Sequence, residues 1–143
     1  MAILFYHPNE NYGFLSNFAP SGFKMKKTFY PTVEHYYQSQ KIFDTDIRQQ
    51  ILAAHSPKIA KITARKNSSK IRSDWNQVKT KIMFKGVFKK FKTHPKLLEK
   101  LLKTDHEILI ENSLNDYFWG IGKDKTGLNM LGKILMAVRD ILR

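Results

Sequence analysis

Residues 31–41 read PTVEHYYQSQK, and this stretch predicts a helix with a distinct start. Thr32 is suited to cap the helix, because its hydroxyl oxygen can accept a hydrogen bond from a backbone N–H that lacks a partner within the helix. Glu34 then lies in the first turn, where the positive end of the helix dipole favours a carboxylate. The helix is expected to run to about Phe43.

The same helix is expected to carry three polar side chains on one face. Glu34, Gln38 and Lys41 are separated by four and three residues, so they fall on the same side, with Tyr37 beside them. If this face is buried, the three groups must hydrogen-bond each other or a ligand, which makes them site candidates. The alternative is a solvent-exposed polar stripe, and spacing alone favours it. His35 has no partner at metal-ligand spacing and is interpreted as structural.

The segments on either side predict an α+β fold that is mostly helical, with a small antiparallel sheet. Further helices are expected over 45–55, 56–65, 74–92, 95–103 and 131–142. Strands are expected over 2–6 and 107–111, and a strand or hairpin over 23–30. No repeat or flexible linker interrupts the pattern, so residues 1–143 are predicted to form a single domain.

Composition limits the classes of protein that remain. The 143 residues include no cysteine, which excludes a disulfide framework and a thiolate zinc site and favours a cytoplasmic protein. The apolar run at residues 1–6 is too short for a secretion signal or a membrane span, so no membrane partner is expected. The net charge of +13 predicts an acidic partner. A merely solvated basic surface and a surface that binds phosphate or nucleic acid both remain open.

A second set of candidates lies in residues 110–132, which read IENSLNDYFWGIGKDKTGLNMLG. Asp116 and Trp119 offer a carboxylate and an indole, as a substrate made of a heterocycle and a ribose requires. Asn129 near the start of the last helix can act as a cap or meet an anion. Asp116 and Asn129 are equally well explained as turn and cap residues, and Trp119 as a core residue. Backbone N–H groups for phosphate are available at three glycines, Gly120, Gly122 and Gly127.

Two arginines are candidates for contact with a phosphate. Arg65 and Arg72 each carry a planar fork of N–H donors that can hold a phosphate bidentately. Pairing with a carboxylate is the alternative for either one. No HExxH pattern or acidic cluster indicates a metal, and no cofactor is predicted.

Five blocks of sequence, in this order, resemble the YbiA-like N-glycosidase family, also called NADAR. The blocks span nearly the whole chain: Phe14–Pro20, Pro31–Lys41, Arg72–Trp75, Glu111–Gly120 and Asn129–Arg139. The chain departs from the family pattern at Lys26 and Lys27, where some relatives carry an Asp-Gly turn. It also departs in the lysine-rich stretch 121–127, which bears on substrate specificity.

The resemblance implies hydrolysis of the bond that joins a ribose C1 to a nitrogen. Some family members act on riboflavin-pathway intermediates, and others act on ADP-ribosylated guanine in nucleic acid. Carried over to matching positions, Glu34 is the expected acid/base carboxylate, and Lys41 is the amine expected to trap the opened sugar aldehyde as a Schiff base. Asp116 is expected to orient or stabilise the cationic sugar.

The resemblance also implies a set of substrate-binding residues. Trp119 is expected to stack on the base or ribose, and Asn17, Gln38 and Asn129 are expected to fix hydroxyls and phosphate. The full predicted set is Asn17, Phe18, Gln38, Arg72, Trp119, Gly120 and Asn129. The first long helix and the tryptophan-bearing loop are expected to meet around the sugar.

Three hypotheses of function follow. The first is an N-glycosidase acting on a small phosphorylated ribosylamino-pyrimidine. The second is an ADP-ribosyl hydrolase that removes ADP-ribose from guanine in DNA, which the basic surface favours. The third is a non-catalytic module that binds ADP-ribose or nucleic acid through stacking and charge. The oligomeric state is not predicted.

Overall fold

Six helices and four short strands make up the computed structural model, which describes residues 1–143. In chain order they are β1 (Ala2–Phe5), β2 (Phe23–Met25), β3 (Thr28–Tyr30), α1 (Val33–Gln40), α2 (Thr45–Leu52), α3 (Pro57–Lys66), α4 (Trp75–Thr93), α5 (Pro95–Leu102), β4 (Ile108–Glu111) and α6 (Met130–Leu142). Short 3-10 turns occur at Gly13–Leu15 and Ser68–Lys70. The chain divides into a mid-chain unit, residues 20–90, and a terminal unit, residues 1–19 with 91–143. None of the helices combines the length and apolar character that crossing a membrane requires.

The predicted fold class is confirmed, and the strand pairing adds a detail that the sequence did not predict. The antiparallel sheet is the hairpin of β2 and β3, with Phe23 opposite Tyr30. The strands β1 and β4 form a separate parallel pair, with Ala2 aligned with Ile108. An apolar run of four residues identifies a strand but not the direction of its partner, which depends on the intervening chain. That residues 1–143 act as one domain stays a prediction.

The helix α1 begins where the sequence predicted and ends earlier. The Thr32 hydroxyl oxygen accepts from the backbone N–H of His35 at 3.0 Å, so the predicted cap is present. The helix stops at Gln40 because the next backbone groups bond elsewhere. The N–H of Arg72 donates to the carbonyl of Lys41 at 2.8 Å, and Ile42 forms a β-bridge with Ile71.

His35 holds α1 in place in the mid-chain unit. Its side chain is buried, with Nε2 3.0 Å from the Ala54 carbonyl oxygen and Nδ1 2.8 Å from the Thr32 hydroxyl. Because a carbonyl only accepts, Nε2 carries the proton and Nδ1 accepts from Thr32. Burial lowers the pKa of His35, although the Ala54 carbonyl opposes that shift. The structural role predicted for His35 is confirmed.

An apolar cluster packs α2 and α3 beneath α1. Ile42 and Ile51 are fully buried there, and Ile47 lies beside them. Ala60 and Ala64 present only methyl groups, which lets α3 approach closely. Burial of each large aliphatic side chain stabilises the unit by about 1.5–3 kcal/mol. The start of α3 matches its sequence signals, since Ser56 caps the helix and Pro57 occupies its first turn.

The hairpin tip is a two-residue turn formed by Lys26 and Lys27. Both have positive φ, 48° and 71°, and they join Met25 to its partner Thr28. Positive φ at both central positions is the type I′ geometry that asparagine and glycine favour. The departure from the family's Asp-Gly pattern therefore leaves the turn shape in place but puts two lysines in a strained conformation.

In the terminal unit, α6 packs directly on β4. Leu131, Leu135 and Val138 are buried at this contact. A side chain at Gly132 would clash with the Leu109 carbonyl oxygen, so only glycine permits the close approach. Further along, the buried Arg139 donates from Nη1 to the Thr104 hydroxyl and the Glu107 carbonyl, both at 2.9 Å. These contacts fix the loop before β4.

Candidate active site

The polar face of α1 is buried. Glu34 is only 7% exposed and Gln38 only 2% exposed. Gln38 donates from Nε2 to the Glu34 carboxylate oxygen Oε2 at 2.6 Å. The other amide atom, Gln38 Oε1, is buried without a hydrogen-bond partner. The solvent-exposed stripe that spacing alone favoured is therefore wrong for Glu34 and Gln38, because both side chains are buried.

Lys41 follows Gln38 on the same side of the chain and lies against two aromatic rings. Its Nζ is 5.2 Å from the centre of the Tyr37 ring and 6.0 Å from that of Trp75. The centres of the two rings are 5.1 Å apart, so the rings form one apolar wall. An ammonium over aromatic faces is favourable, but the wall also removes water from the amine.

Burial lowers the pKa of Lys41 more than any other effect. Glu34 raises the pKa through its opposite charge, and three cations lower it further: Lys61, Arg65 and Lys79. A lysine with a lowered pKa has a larger neutral fraction near pH 7, and the neutral amine is the nucleophile in Schiff-base chemistry. Lys61 and Arg65 lie on α3 and Lys79 lies on α4, so the convergence of the two helices on Lys41 could not be predicted from the sequence.

Arg72 has a carboxylate partner within the mid-chain unit. Its Nε and Nη2 donate to the two oxygens of Asp74 at 2.6 and 3.0 Å, and its guanidinium lies 4.4 Å from the centre of the Phe43 ring. The guanidinium holds the pKa of Asp74 below its usual range. The predicted bidentate clamp on phosphate is therefore corrected, because the fork is already engaged by a residue two positions along the chain. A substrate contact through the remaining Nη1 stays a prediction.

The tryptophan-bearing loop of the terminal unit is shaped by Asp116. Its Oδ1 accepts from the N–H groups of Phe118 at 2.9 Å and Trp119 at 2.7 Å. This is the turn role weighed for Asp116 from the sequence, and it leaves Oδ2 as the oxygen for a ligand. The Trp119 ring meets Phe118 edge-on, with 4.8 Å between centres, and is partly exposed.

The glycines of this loop serve close packing more than anion binding. Gly122 donates to the Ser113 carbonyl at 2.9 Å, and Gly127 donates to the Ile121 carbonyl at 2.7 Å. The expectation that these two N–H groups face a phosphate is therefore corrected. Gly120 is buried, and a Cβ there would lie 2.8 Å from the Ser113 Cβ. A substrate role for Gly120 stays a prediction.

Asn129 ties the end of the loop to β4. Its Oδ1 accepts from the Glu111 N–H and its Nδ2 donates to the Leu109 carbonyl, both at 2.9 Å. Its backbone is left-handed, with φ 52°, and its side chain makes no capping bond to α6. Asn129 therefore occupies the predicted N-cap position, but its side chain does not cap the helix, because both side-chain atoms are used by the strand. A direct contact of Asn129 with substrate stays a prediction.

Asn17 and Phe18 follow the 3-10 turn in the terminal unit. Asn17 is buried, whereas Phe18 is partly exposed. The Ser16 hydroxyl accepts from the Phe18 N–H at 3.1 Å, which fixes the backbone between them. Their predicted contacts with substrate also stay predictions. No group of three or more acidic, histidine or cysteine side chains is placed to hold a metal ion.

One neighbour of Lys41, Trp75, was not among the predicted site residues. Trp75 is buried at 8% exposed, and its ring also flanks the amine. The signal that could have found it is the resemblance of the Arg72–Trp75 block to the family pattern, in which a tryptophan follows an arginine by three positions.

A family model described as the NADAR domain matches residues 4–143. N-glycosidase Npun_R5314 of Nostoc punctiforme is 48% identical over 146 residues, which cover 100% of this chain and 94% of that protein. Riboflavin biosynthesis protein VVA0006 of Vibrio vulnificus is 40% identical, over 99% of this chain and 38% of that protein.

N-glycosidase YbiA of Escherichia coli strain K12 is 39% identical, over 98% of this chain and 88% of that protein. The NMR structure of the E. coli protein YbiA matches with a TM-score of 0.91 at 38% identity. The matched region covers 99% of this chain and 84% of the YbiA chain.

Proposed function

Because this chain belongs to the NADAR domain family, we propose that it cleaves the ribose C1–nitrogen bond of a phosphorylated ribosylamino-pyrimidine. The chain is a hydrolase that acts on N-glycosyl bonds, in common with relatives named N-glycosidases. The pyrimidine substrate is the proposed part. It is supported by the relative named a riboflavin biosynthesis protein. A cytoplasmic location belongs to the same proposal and is supported by the absence of cysteine.

The observation that carries the proposal is the buried face of α1. A carboxylate and an amide are buried there, the partly exposed Lys41 follows directly after the helix, and the amide oxygen Gln38 Oε1 lacks a partner. A buried acceptor left unpaired costs about 1–3 kcal/mol, so the arrangement is unfavourable without a ligand. A ribose hydroxyl that displaced the groups now covering this oxygen would donate to it and remove the penalty.

Glu34 is proposed as the acid/base group of the first step. When the C1–N bond breaks, its electron pair stays on the base nitrogen and positive charge develops on C1. A nearby carboxylate stabilises that charge, and a proton delivered to the base assists its departure. The 2.6 Å hydrogen bond from Gln38 fixes the orientation of the Glu34 carboxylate. General acid–base catalysis of this kind typically contributes about a hundredfold or more in rate.

After the base leaves, a water molecule adds to the cationic C1 and gives a proton to the Glu34 carboxylate, and the hemiacetal that forms opens to the C1 aldehyde. Lys41 is proposed to act on this opened sugar. The neutral Nζ adds to the C1 aldehyde and one water leaves, which forms an imine. A water molecule then hydrolyses the imine, restoring the amine and releasing the sugar. The lowered pKa of Lys41 supports this role, since an ammonium group has no lone pair with which to attack. In the terminal unit, a catalytic role for Asp116 and a stacking role for Trp119 belong to the same proposal.

The test is release of free base from candidate ribosylamino-pyrimidine phosphates by the purified protein. Glu34→Gln is expected to lower kcat by about a hundredfold or more while the fold is retained. Lys41→Arg keeps the positive charge but removes the nucleophile, so loss of activity there assigns chemistry rather than charge to the residue. Lys58→Ala, at an exposed position on α3, serves as the matched control. Base release that is equal in all four proteins would overturn the assignment.

Removal of ADP-ribose from guanine in DNA is the second candidate, and the net charge of +13 favours it. The two substrates share the ribose C1–nitrogen bond, so the same α1 face would serve either one. Side-by-side assays separate them. Greater kcat/KM on the small phosphate supports the first proposal, and greater kcat/KM on the modified oligonucleotide supports the second.

A further inference from the structure

The mid-chain unit contains a groove of about 790 Å³ that shares only Arg72 with the residues predicted to bind the substrate. It is lined by the β2–β3 hairpin, one side of α1 and the outer face of α4. Six cations contribute to its walls: Lys26, Arg48, Arg72, Lys81, Lys85 and Lys89. No aspartate or glutamate lines it. The groove should therefore attract an extended anion.

The groove meets α1 at residues that point away from Glu34 and Gln38. The helix contributes Tyr36 and Gln40 to its lining. Each lies two positions from a residue of the polar face, Glu34 or Gln38, which is about 200° around a helix. Occupation of the groove is therefore compatible with a substrate bound against Lys41.

The outer face of α4 carries a row of lysines beside aromatic rings. Lys81, Lys85 and Lys89 are spaced by four residues, so they share one face, and each rises about 6 Å above the last. All three are exposed. Phe84 and Phe88 stack with 6.0 Å between ring centres and 19° between ring planes. Both rings are partly exposed and line the groove.

We propose that this groove binds a single strand of nucleic acid, with the phosphates along the lysine row and the bases against the phenylalanine rings. Non-sequence-specific single-strand sites combine these two features, a basic groove that tracks the backbone and aromatic side chains that stack on bases. An anionic lipid surface or an acidic peptide would satisfy the lysines but gives no reason for partly exposed phenylalanine rings among them. The inference goes beyond the proposed function, because it holds whichever ribosyl bond is hydrolysed.

The test measures binding of an unmodified single-stranded DNA of about 12 nucleotides by fluorescence anisotropy at several salt concentrations. Each phosphate contact on a single strand contributes about −0.7 to the slope of log K against log salt concentration. The variant Lys81→Ala/Lys85→Ala/Lys89→Ala is expected to reduce the magnitude of that slope by about 2. A matched variant with the same charge loss outside the groove, Lys58→Ala/Lys66→Ala/Lys96→Ala, is expected to leave the slope nearly unchanged. Equal effects of the two triple variants would overturn the proposal in favour of diffuse attraction.

A second variant tests stacking separately from charge. Phe84→Leu keeps the apolar volume that packing needs and removes the aromatic face. It is expected to weaken binding by about fivefold or more with the salt slope unchanged. Unaltered affinity would overturn the stacking role, and binding confined to anionic vesicles or polyglutamate would overturn the choice of nucleic acid. Hydrolysis of a small ribosyl substrate should be retained in every variant, so the two proposals fail independently.

Discussion

Replacing Gln38 by methionine separates a functional from a structural reason for the buried amide. Gln38 is 2% exposed, donates to Glu34 at 2.6 Å, and leaves Oε1 without a partner. Methionine is unbranched and of similar length, so it fills the same space without polar groups. The substitution removes both the hydrogen bond to the carboxylate and the unpaired acceptor.

The two effects of Gln38→Met on stability oppose each other. Loss of a hydrogen bond to a charged group costs about 1.5–3 kcal/mol, whereas removal of an unpaired buried acceptor returns about 1–3 kcal/mol. The net change in the free energy of unfolding should therefore stay within about 2 kcal/mol. With an unfolding entropy of about 2.1 cal/mol/K per residue, 143 residues give about 0.3 kcal/mol/K, so Tm should shift by less than about 7 °C.

Activity should respond much more strongly than stability. Loss of the ribose contact and of the fixed Glu34 orientation should raise the activation free energy by about 1.5–3 kcal/mol. This rise lowers kcat/KM by about 10- to 150-fold. Base release and thermal unfolding should be measured on the same preparations, with the exposed Gln50→Met as control. A fall in kcat/KM below about threefold would refute the ligand role of Gln38. A loss of stability above about 4 kcal/mol would show that Oε1 has a structural partner.

Three further predictions concern the hairpin tip, the buried histidine and the loop carboxylate. Lys26→Asn combined with Lys27→Gly should stabilise the protein by about 1–2 kcal/mol, because both lysines have positive φ and are strained. An unchanged Tm would contradict the presence of strain at the turn. Because the pKa of His35 is lowered by folding, the unfolded state takes up its proton first, so urea midpoints should fall as pH drops below about 6.5. His35→Gln should weaken that dependence, and an identical pH profile in the variant would rule out His35 as its source. Asp116→Asn keeps the Oδ1 acceptor, so it should preserve Tm while lowering kcat. Asp116→Ala should lower kcat and also lose about 1–2 kcal/mol of stability. Equal kcat in wild type and Asp116→Asn would remove the carboxylate from the mechanism.

Most helix boundaries could be predicted because their signals are local. Thr32 and Ser56 cap the helices that follow them, and Pro95 lies at the start of α5, as the sequence indicates. The early end of α1 could not be predicted. It depends on Arg72 bonding to the Lys41 carbonyl, a contact between residues 31 positions apart in the chain. The parallel pairing of β1 with β4 is likewise set by long-range contacts.

The candidate site was predictable in spacing but not in environment. The offsets between Glu34, Gln38 and Lys41 place them on one face, yet only the packing of the unit decides that this face is buried. Asn129 shows that residue type alone does not identify a distant partner. An asparagine at this position suggested a helix cap, but both amide atoms of its side chain bond to a strand about 20 residues away. The Arg72–Asp74 pair was local, and the carboxylate partner was readable from the two-residue spacing.

The most direct test of the central chemistry is reductive trapping. The purified protein should be incubated with a ribosylamino-pyrimidine phosphate in the presence of borohydride, digested and examined by mass spectrometry. The expected result is a reduced sugar adduct on the peptide that contains Lys41, absent from Lys41→Arg and retained in Lys58→Ala. Full base release without any adduct on Lys41 would contradict a covalent role for this amine.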